Sequence, residues 1–490
     1  MLKIITEQME LRPELPVVIG NVDYQELVSR LRRIDAILQI SGIEARFIKK
    51  QLGKIRIENG KTKNGQEYFQ KMCRRALRCN LARWLVEKEF RTFSIRLADS
   101  RLLQWFCGIE RVENIRVPSK STLERYDKLA TEEEMRILVD EANRFAFDPE
   151  NYLNVEEELT LEAYFSDTTC VKANIHFPVD WVLLRDGVRT LIKAMTIIRK
   201  NGLKHRMPSP DKFMSAMNRL SMQMSQSRRQ AEAKKSRKKV LRKMKKLTKT
   251  VNSHAIRYLE ILEKNWKESD LYEGQKRAIA KRMRNVIEQL PAAIKQAHER
   301  MIGERKVANE NKILSLYEKD IHVLVRGKVD AEIEFGNTLF IAEQSQGLII
   351  DWRLEQEKTC GDINLMQNSL ERQKRIFGKY PDRVGADRGF TSKGMKEWLK
   401  DRKIYNGICP KSPVELKEQN QKHKFRKLQK RRAQTEARIG ILKNVFFGRL
   451  LKNKGFKNRE LAVTWAVFAH NLWLLAGLPE AEEKIRKKAA

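Results

Sequence analysis

Three acids of this 490-residue chain, Asp167, Asp387 and Glu436, stand in settings that suit chemistry better than solvation. Asp167 follows a stretch in which Leu159, Leu161, Ala163 and Phe165 alternate with polar residues, and it falls on their face. A carboxylate on the buried side of a strand costs free energy unless something pairs with it. Asp387 ends the short run from Arg383 to Ala386 and precedes Arg388 and Gly389, where the chain can turn sharply. Glu436 belongs to a predicted helix whose spacing puts Arg432, Ile439 and Lys443 on the same face.

If that face packs on the sheet edge near both aspartates, three carboxylates converge. Like charges at short range push a pKa upward unless a divalent cation is bound. Hard oxygen ligands suit Mg²⁺ or Mn²⁺, which take further ligands from water and substrate phosphates. Two such ions about 4 Å apart serve in-line displacement at phosphorus by a water or a 3′-hydroxyl. Arg388, Arg432 and Lys443 would then hold the phosphate and offset its charge. A plainer alternative stands beside this one: an i,i+4 Arg–Glu pair is commonly a surface ion pair of little energetic weight.

Composition points to the partner. Lys and Arg outnumber Asp and Glu by 99 to 63, and the resulting net charge of +36 favours a polyanion. Nucleic acid is expected ahead of an anionic membrane surface or a merely basic, ribosome-associated role. Cys73, Cys79, Cys107, Cys170, Cys360 and Cys409 form no CxxC pair and have no zinc spacing, so they read as incidental thiols of a reducing compartment. The N-terminal residues carry charges throughout, unlike a secretory signal. The apolar run Leu461 to Leu478 is interrupted by Thr464, His470 and Asn471 and suits a buried helix better than a membrane span. A cytoplasmic protein without membrane contact is expected.

The elements that must position the acids come next. Residues 1–150 read as helical. Phe93 to Gly108 carries apolar residues at mixed three and four spacing, and Ser121 with Glu124 has capping-box spacing for a short helix through Leu129. Lys120 and Arg125 on that helix make it a candidate helix-turn-helix contact to DNA, although a plain helical bundle fits the pattern equally. Residues 151–180 and 321–478 supply strands at Asp167, at Ile321–Val325 and Ala331–Phe335, and a hairpin of Leu339–Gln344 with Leu348–Leu354. A helix from Asp362 to a Gly378 stop, a strand into Asp387, a helix capped by Thr391 or Ser392, and a strand at Ile404–Ile408 follow. The order describes a mixed α/β sheet covered by helices. Residues 181–320 form a helical insertion whose run from Arg228 to Lys249 is almost free of acids and suits phosphate-backbone contacts. Residues 479–490 form a basic tail.

Two motifs carry a resemblance. The string GADRGF, Gly385 to Phe390, with Arg432, Glu436 and Lys443 spaced R-x3-E-x6-K, resembles the DDE transposases of bacterial insertion sequences, in the group with a YREK motif. FSDTT, Phe165 to Thr169, is similar to that group's first aspartate segment. LADSRLLQWFCG and PSKSTLERY are similar to its helical DNA-binding region. The resemblance implies an RNase H-like catalytic domain with Asp167, Asp387 and Glu436 as metal ligands, two Mg²⁺ or Mn²⁺ ions, and end recognition by the N-terminal helices. It also implies double-stranded DNA as substrate, both terminal inverted repeats and target, a synaptic homodimer, and a nucleoid-associated bacterial protein. An RNase H-like nuclease without strand transfer and a catalytically silent DNA-binding derivative are the alternatives. Asp180 and Asp186 are reserve candidates for the first acid, and Gln429 replaces the tyrosine expected three residues before Arg432.

Overall fold

The computed structural model describes residues 15–54, 63–109, 114–148, 150, 153, 155–227, 232–328, 331–357, 361–448 and 450–479. Residues 1–14, the 228–231 stretch of the basic run, Cys360 and the tail residues 480–490 lie outside them.

The described chain opens with seven helices: α1 (Val22–Ile40), α2 (Ile43–Leu52), α3 (Lys63–Val86), α4 (Phe90–Asp99), α5 (Arg101–Cys107), α6 (Lys120–Asp127) and α7 (Glu132–Ala146). Local signals set several of their ends. The Ser100 hydroxyl accepts from Leu103 N–H to start α5, and Gly108 ends it in the left-handed region. The expected capping box at Ser121 and Glu124 is corrected: Ser119 caps α6, and the reciprocal box belongs to Thr131 and Glu134 at the start of α7. The two sites share a serine or threonine three residues before a glutamate. At α6 the Ser119 side chain takes the capping role by accepting from Thr122 N–H.

Strand β1 (Ala163–Lys172) is followed by α8 (Asp180–Lys200), α9 (Pro210–Gln226), α10 (Ala233–Asn265) and α11 (Glu273–Met301). These four helices bury their own apolar core, with Leu184, Leu191, Met244, Tyr258, Met283 and Leu290 at its centre. Then come β2 (His322–Lys328), β3 (Ala331–Gln344), β4 (Ile349–Leu354), α12 (Asp362–Phe377), β5 (Arg383–Ala386), α13 (Lys393–Asp401) and β6 (Tyr405–Asn406). Helices α14 (Pro413–Gln419), α15 (His423–Ile441) and α16 (Phe456–Ala476) complete the described chain.

The six strands make one mixed sheet. Along its main axis the order is β4–β3–β1–β5–β6, antiparallel from β4 to β1 and parallel from β1 to β6. Gly336 pairs with His322 on one side and Lys172 on the other, while Ile341 pairs with Trp352 and Asp167, so β2 and β4 lie end to end along one edge of β3. Strand β3 therefore runs unbroken where two separate patterns were expected. Gly336 makes this possible, since a Cβ there would lie 2.0 Å from the Val171 carbonyl oxygen.

One face of the sheet packs on α12 and α13 through Tyr164, Phe340, Leu370, Val384, Phe390 and Leu399. On the other side α16 is buried almost all round, against α1, α3, α7 and β4. The expectation of a buried helix at Trp465 is borne out, and no helix among the described residues is long and apolar enough to cross a membrane. The N-terminal helices and α16 share one continuous apolar cluster with Leu339, Ile341 and Trp352 of the sheet. Cys73, Cys79, Cys107 and Cys170 are buried free thiols.

Candidate active site

Parallel pairing sets the two aspartates side by side. The β1–β5 register ends at Ser166 opposite Ala386, so Asp167 and Asp387 each stand one residue beyond the last pair. Neighbouring strands are about 4.8 Å apart, and equivalent positions on parallel strands point the same way. Asp387 is held by its own turn: its Oδ1 accepts from Gly389 N–H at 2.8 Å, and Phe390 is fully buried beneath it. Asp167 is half-buried, and its Oδ1 accepts from Thr168 N–H at 2.7 Å.

Helix α15 brings the third acid. Leu428 packs on Ala163 and Phe165 of β1. Two further turns along the same side of the helix come Arg432 and Glu436. The helix is fixed in rotation by a buried carboxylate on β3. Glu343, with no solvent exposure, accepts from Arg431 at 2.9 Å, Thr435 at 2.8 Å and Arg438 at 3.1 Å. Arg431 also lies over the Phe165 ring at 4.8 Å. The Arg438 guanidinium occupies the space where Gly347, at φ +94°, would carry a side chain, so glycine is required at that hairpin turn.

The electrostatics report the convergence. Burial pushes the Asp167 carboxyl up to about 6; the Thr168 N–H opposes this, Asp387 and Glu436 add to it, and Arg432 counteracts it. Asp387, Glu436 and Arg432 thus lie within electrostatic reach of Asp167. They do not yet form a closed cage: among the described residues no group of three His, Cys, Asp or Glu side chains stands ready to hold a metal ion. The Glu436 carboxylate, 60% exposed, instead takes the Arg432 guanidinium at 2.8 Å. Three carboxylates without a cation repel, and each here is partly satisfied by its own chain. The donor set, all hard carboxylate oxygens from two strand ends and a helix, is of the kind that fits Mg²⁺ or Mn²⁺.

The basic candidates divide. Arg432 faces Glu436, and Lys443 donates to Thr169 Oγ1 of β1 at 3.3 Å from a π-type turn, Leu442–Phe446, that extends α15. Arg388 is exposed beside Asp387. Lys120 and Arg125 belong to the exposed side of α6, bonded to Glu124 and Thr122 respectively. Of the reserves, Asp180 is buried in an ion pair with Arg300 at 3.0 Å and a hydrogen bond from Gln296, a structural use inside the inserted bundle. Asp186 is on α8 of the same bundle.

Two neighbours of the acids make contacts that the sequence reading did not foresee. Gln429 donates to the carbonyls of Ala386, at 3.3 Å, and Gly407, at 2.6 Å, while its Oε1 accepts from Arg432 Nε at 3.1 Å. It ties α15 to the strand end that carries Asp387. Asp362, the first residue of α12, brings its carboxylate close to Gly389. Its position as an acid just after Gly361 at a helix start was the available signal.

Residues 338–472 match the family model of the transposase DDE domain. That match covers β3 to α16 and thus includes Asp387 and Glu436, whereas Asp167 on β1 precedes it. It supports a DDE transposase with an RNase H-like domain, in keeping with the mixed sheet described above. No curated protein and no solved structure matches the chain significantly.

Proposed function

We propose that this protein is a DNA transposase of the insertion-sequence type, cleaving element ends and joining them to target DNA at one carboxylate site. The reading rests above all on the transposase DDE match, which spans the strand end bearing Asp387 and the helix bearing Glu436. The influence of both acids on Asp167 supports it further.

In this reading Asp167, Asp387 and Glu436 would hold divalent cations, Mg²⁺ or Mn²⁺, which would supply charge neutralisation and a lowered pKa for an attacking oxygen. Arg432, which pairs with Glu436, would be placed to hold the scissile phosphate. Lys443 and Arg388 flank the same phosphate and stabilise charge that develops on its oxygens. In the first step water attacks phosphorus, the bond to the 3′-oxygen breaks, and that oxygen leaves as a 3′-hydroxyl. In the second step the 3′-hydroxyl attacks a target phosphodiester and displaces another 3′-oxygen, so bonds balance without an outside energy source. Glu343 and Gln429 touch no substrate and act by holding α15 against β1 and β5. The N-terminal helices, with Lys120 and Arg125 on α6, recognise the terminal repeats, and two copies synapse two ends.

The test is Asp387→Asn, assayed on duplexes carrying the element ends. Metal-dependent nicking is expected to fall by about 10²- to 10³-fold, the scale on which removal of one preorganised charge-stabilising group is felt. Binding of the ends should be retained. Nicking at the wild-type rate would remove Asp387 from the mechanism. A pre-cut end that is never joined to target by the wild-type protein would reduce the activity to that of a nuclease.

A further inference from the structure

Helix α10 changes character along its length. From Ala233 to Lys249 every charged residue is Lys or Arg, whereas the remainder includes Glu260 and Glu263. The first part is folded, not a loose arm: Val240, Leu241, Met244 and Thr248 are buried against the bundle. On the outer side Lys239, Arg242, Lys243, Lys246 and Lys249 are exposed, and none has an acidic partner among the described residues. A helix selected only for solubility interleaves its charges, as α11 does with Arg277 on Glu273. Uninterrupted like charge at i,i+3 and i,i+4 destabilises a helix by a few tenths of a kcal/mol per pair. The Lys245 ammonium registers that crowding: burial lowers its pKa, Lys249 and Arg242 lower it further, and Glu299 only partly offsets them.

A second observation adds hydrogen-bonding capacity. Lys239 and Lys243 line a polar cleft of about 230 Å³ between α9 and α10, together with Gln223, Gln226 and Ser236. From Lys239 to Lys249 the helix rises about 15 Å, over which duplex DNA presents about four phosphates per strand. Five cations on a rigid ridge suit that row.

We propose that the exposed ridge of α10 is a clamp for the sugar-phosphate backbone of duplex DNA, sequence-independent and separate from the carboxylate site. This rests on the transposase reading, which makes DNA the substrate, and gives the inserted bundle a task in it. Contacts of this type position a duplex without reading its bases, and they release counterions as they form.

The test is the salt dependence of binding, by the full-length protein, to a linear DNA duplex of mixed sequence. The variant R242Q/K243Q/K246Q/K249Q is expected to flatten the plot of log K against log salt by about 3 to 4, each lost phosphate contact accounting for about 0.9. A charge-matched variant on α11, R277Q/K281Q/R282Q/R284Q, should flatten it by about 1 or less. All substituted residues are exposed, so neither variant should melt early; relief of like-charge repulsion can only raise the α10 variant's melting slightly. Should the quadruple variant melt early, R242Q and K246Q singly carry the test, each expected to flatten the slope by about 1. Equal flattening by the α10 and α11 variants, or no flattening by either, would overturn the clamp. Tighter wild-type binding to an RNA duplex of the same sequence would overturn DNA as its occupant. A wild-type protein that binds no DNA at low salt would instead sink the transposase reading itself.

Discussion

Helices α15 and α10 are both rich in Lys and Arg, yet the fold uses their charges in different ways. On α15, Arg431 and Arg438 point inward to the fully buried Glu343, and Arg432 is paired with Glu436. On the first half of α10, Lys234 and Lys238 pair with Glu304 and Lys235 with Glu232, but Lys239, Arg242, Lys243, Lys246 and Lys249 point outward and meet no acid among the described residues. In the first case charge is a fastener: desolvated ions repay their burial only in one geometry, so the helix is locked in rotation and height. In the second, charge is a field, useful only to something that arrives from outside. Local composition does not tell the two apart; the location of the nearest carboxylate does.

That contrast can be broken at its strongest point. Glu343→Ala leaves Arg431 and Arg438 buried without a counter-charge, and the expected cost is about 3–5 kcal/mol in denaturant unfolding. A loss below about 1 kcal/mol, the range of surface ion pairs, would mean the clamp is no different from an exposed pair. The α10 quadruple variant should by comparison cost no stability.

His470 sharpens the same comparison through pH. It is buried on α16 near Phe446, and burial, then the nearby Arg438 charge, push its pKa down to about 4, with Asn471 opposing. A depressed folded-state pKa means that the unfolded chain takes up the proton first. Its stabilising contribution is therefore complete above about 6.5 and is lost as pH falls toward 4, amounting to about 3 kcal/mol. Unfolding free energies measured across that window should fall more steeply for the wild type than for His470→Asn. Parallel profiles would show that this histidine is not held neutral.

The smallest effect is expected at Gln429. Removing its side chain deletes two hydrogen bonds to strand-end carbonyls and one from Arg432, worth about 1–3 kcal/mol together. The Gln429→Ala protein should bind DNA normally but nick about tenfold more slowly, the equivalent of about 1.4 kcal/mol in the barrier. A rise in KM with unchanged kcat would indicate that Gln429 meets the DNA itself rather than aiming Arg432.

Much of the local structure around the candidate acids was legible because its signals are local. Alternation through Phe165 put Asp167 on the packed face of a strand, and Ser392 caps α13 as its spacing predicts. Gly378, at φ +79°, stops α12 where a left-handed residue was expected. The run into Asp387 is a strand of four residues, and a long basic helix runs through Glu436 as expected. The failures share a cause. Glu343 lies among apolar neighbours of β3, 88 positions from Arg431 and 95 from Arg438, and no spacing rule links a strand residue to helix residues so distant. Gln429 was noted only as a missing tyrosine, because its partners are backbone carbonyls, which every residue possesses.

What the sequence determined by itself was the kind of each element, the candidate acids and the excess of positive charge, since these follow from periodicity, caps and composition within a few turns of chain. Only the tertiary structure decided which charges are neutralised. The β1–β5 register set Asp167 beside Asp387, and Glu343 fixed the rotation of the helix that carries Glu436. Coulomb energy depends on distance and solvent exposure, and both are fixed by how the elements pack rather than by their order along the chain.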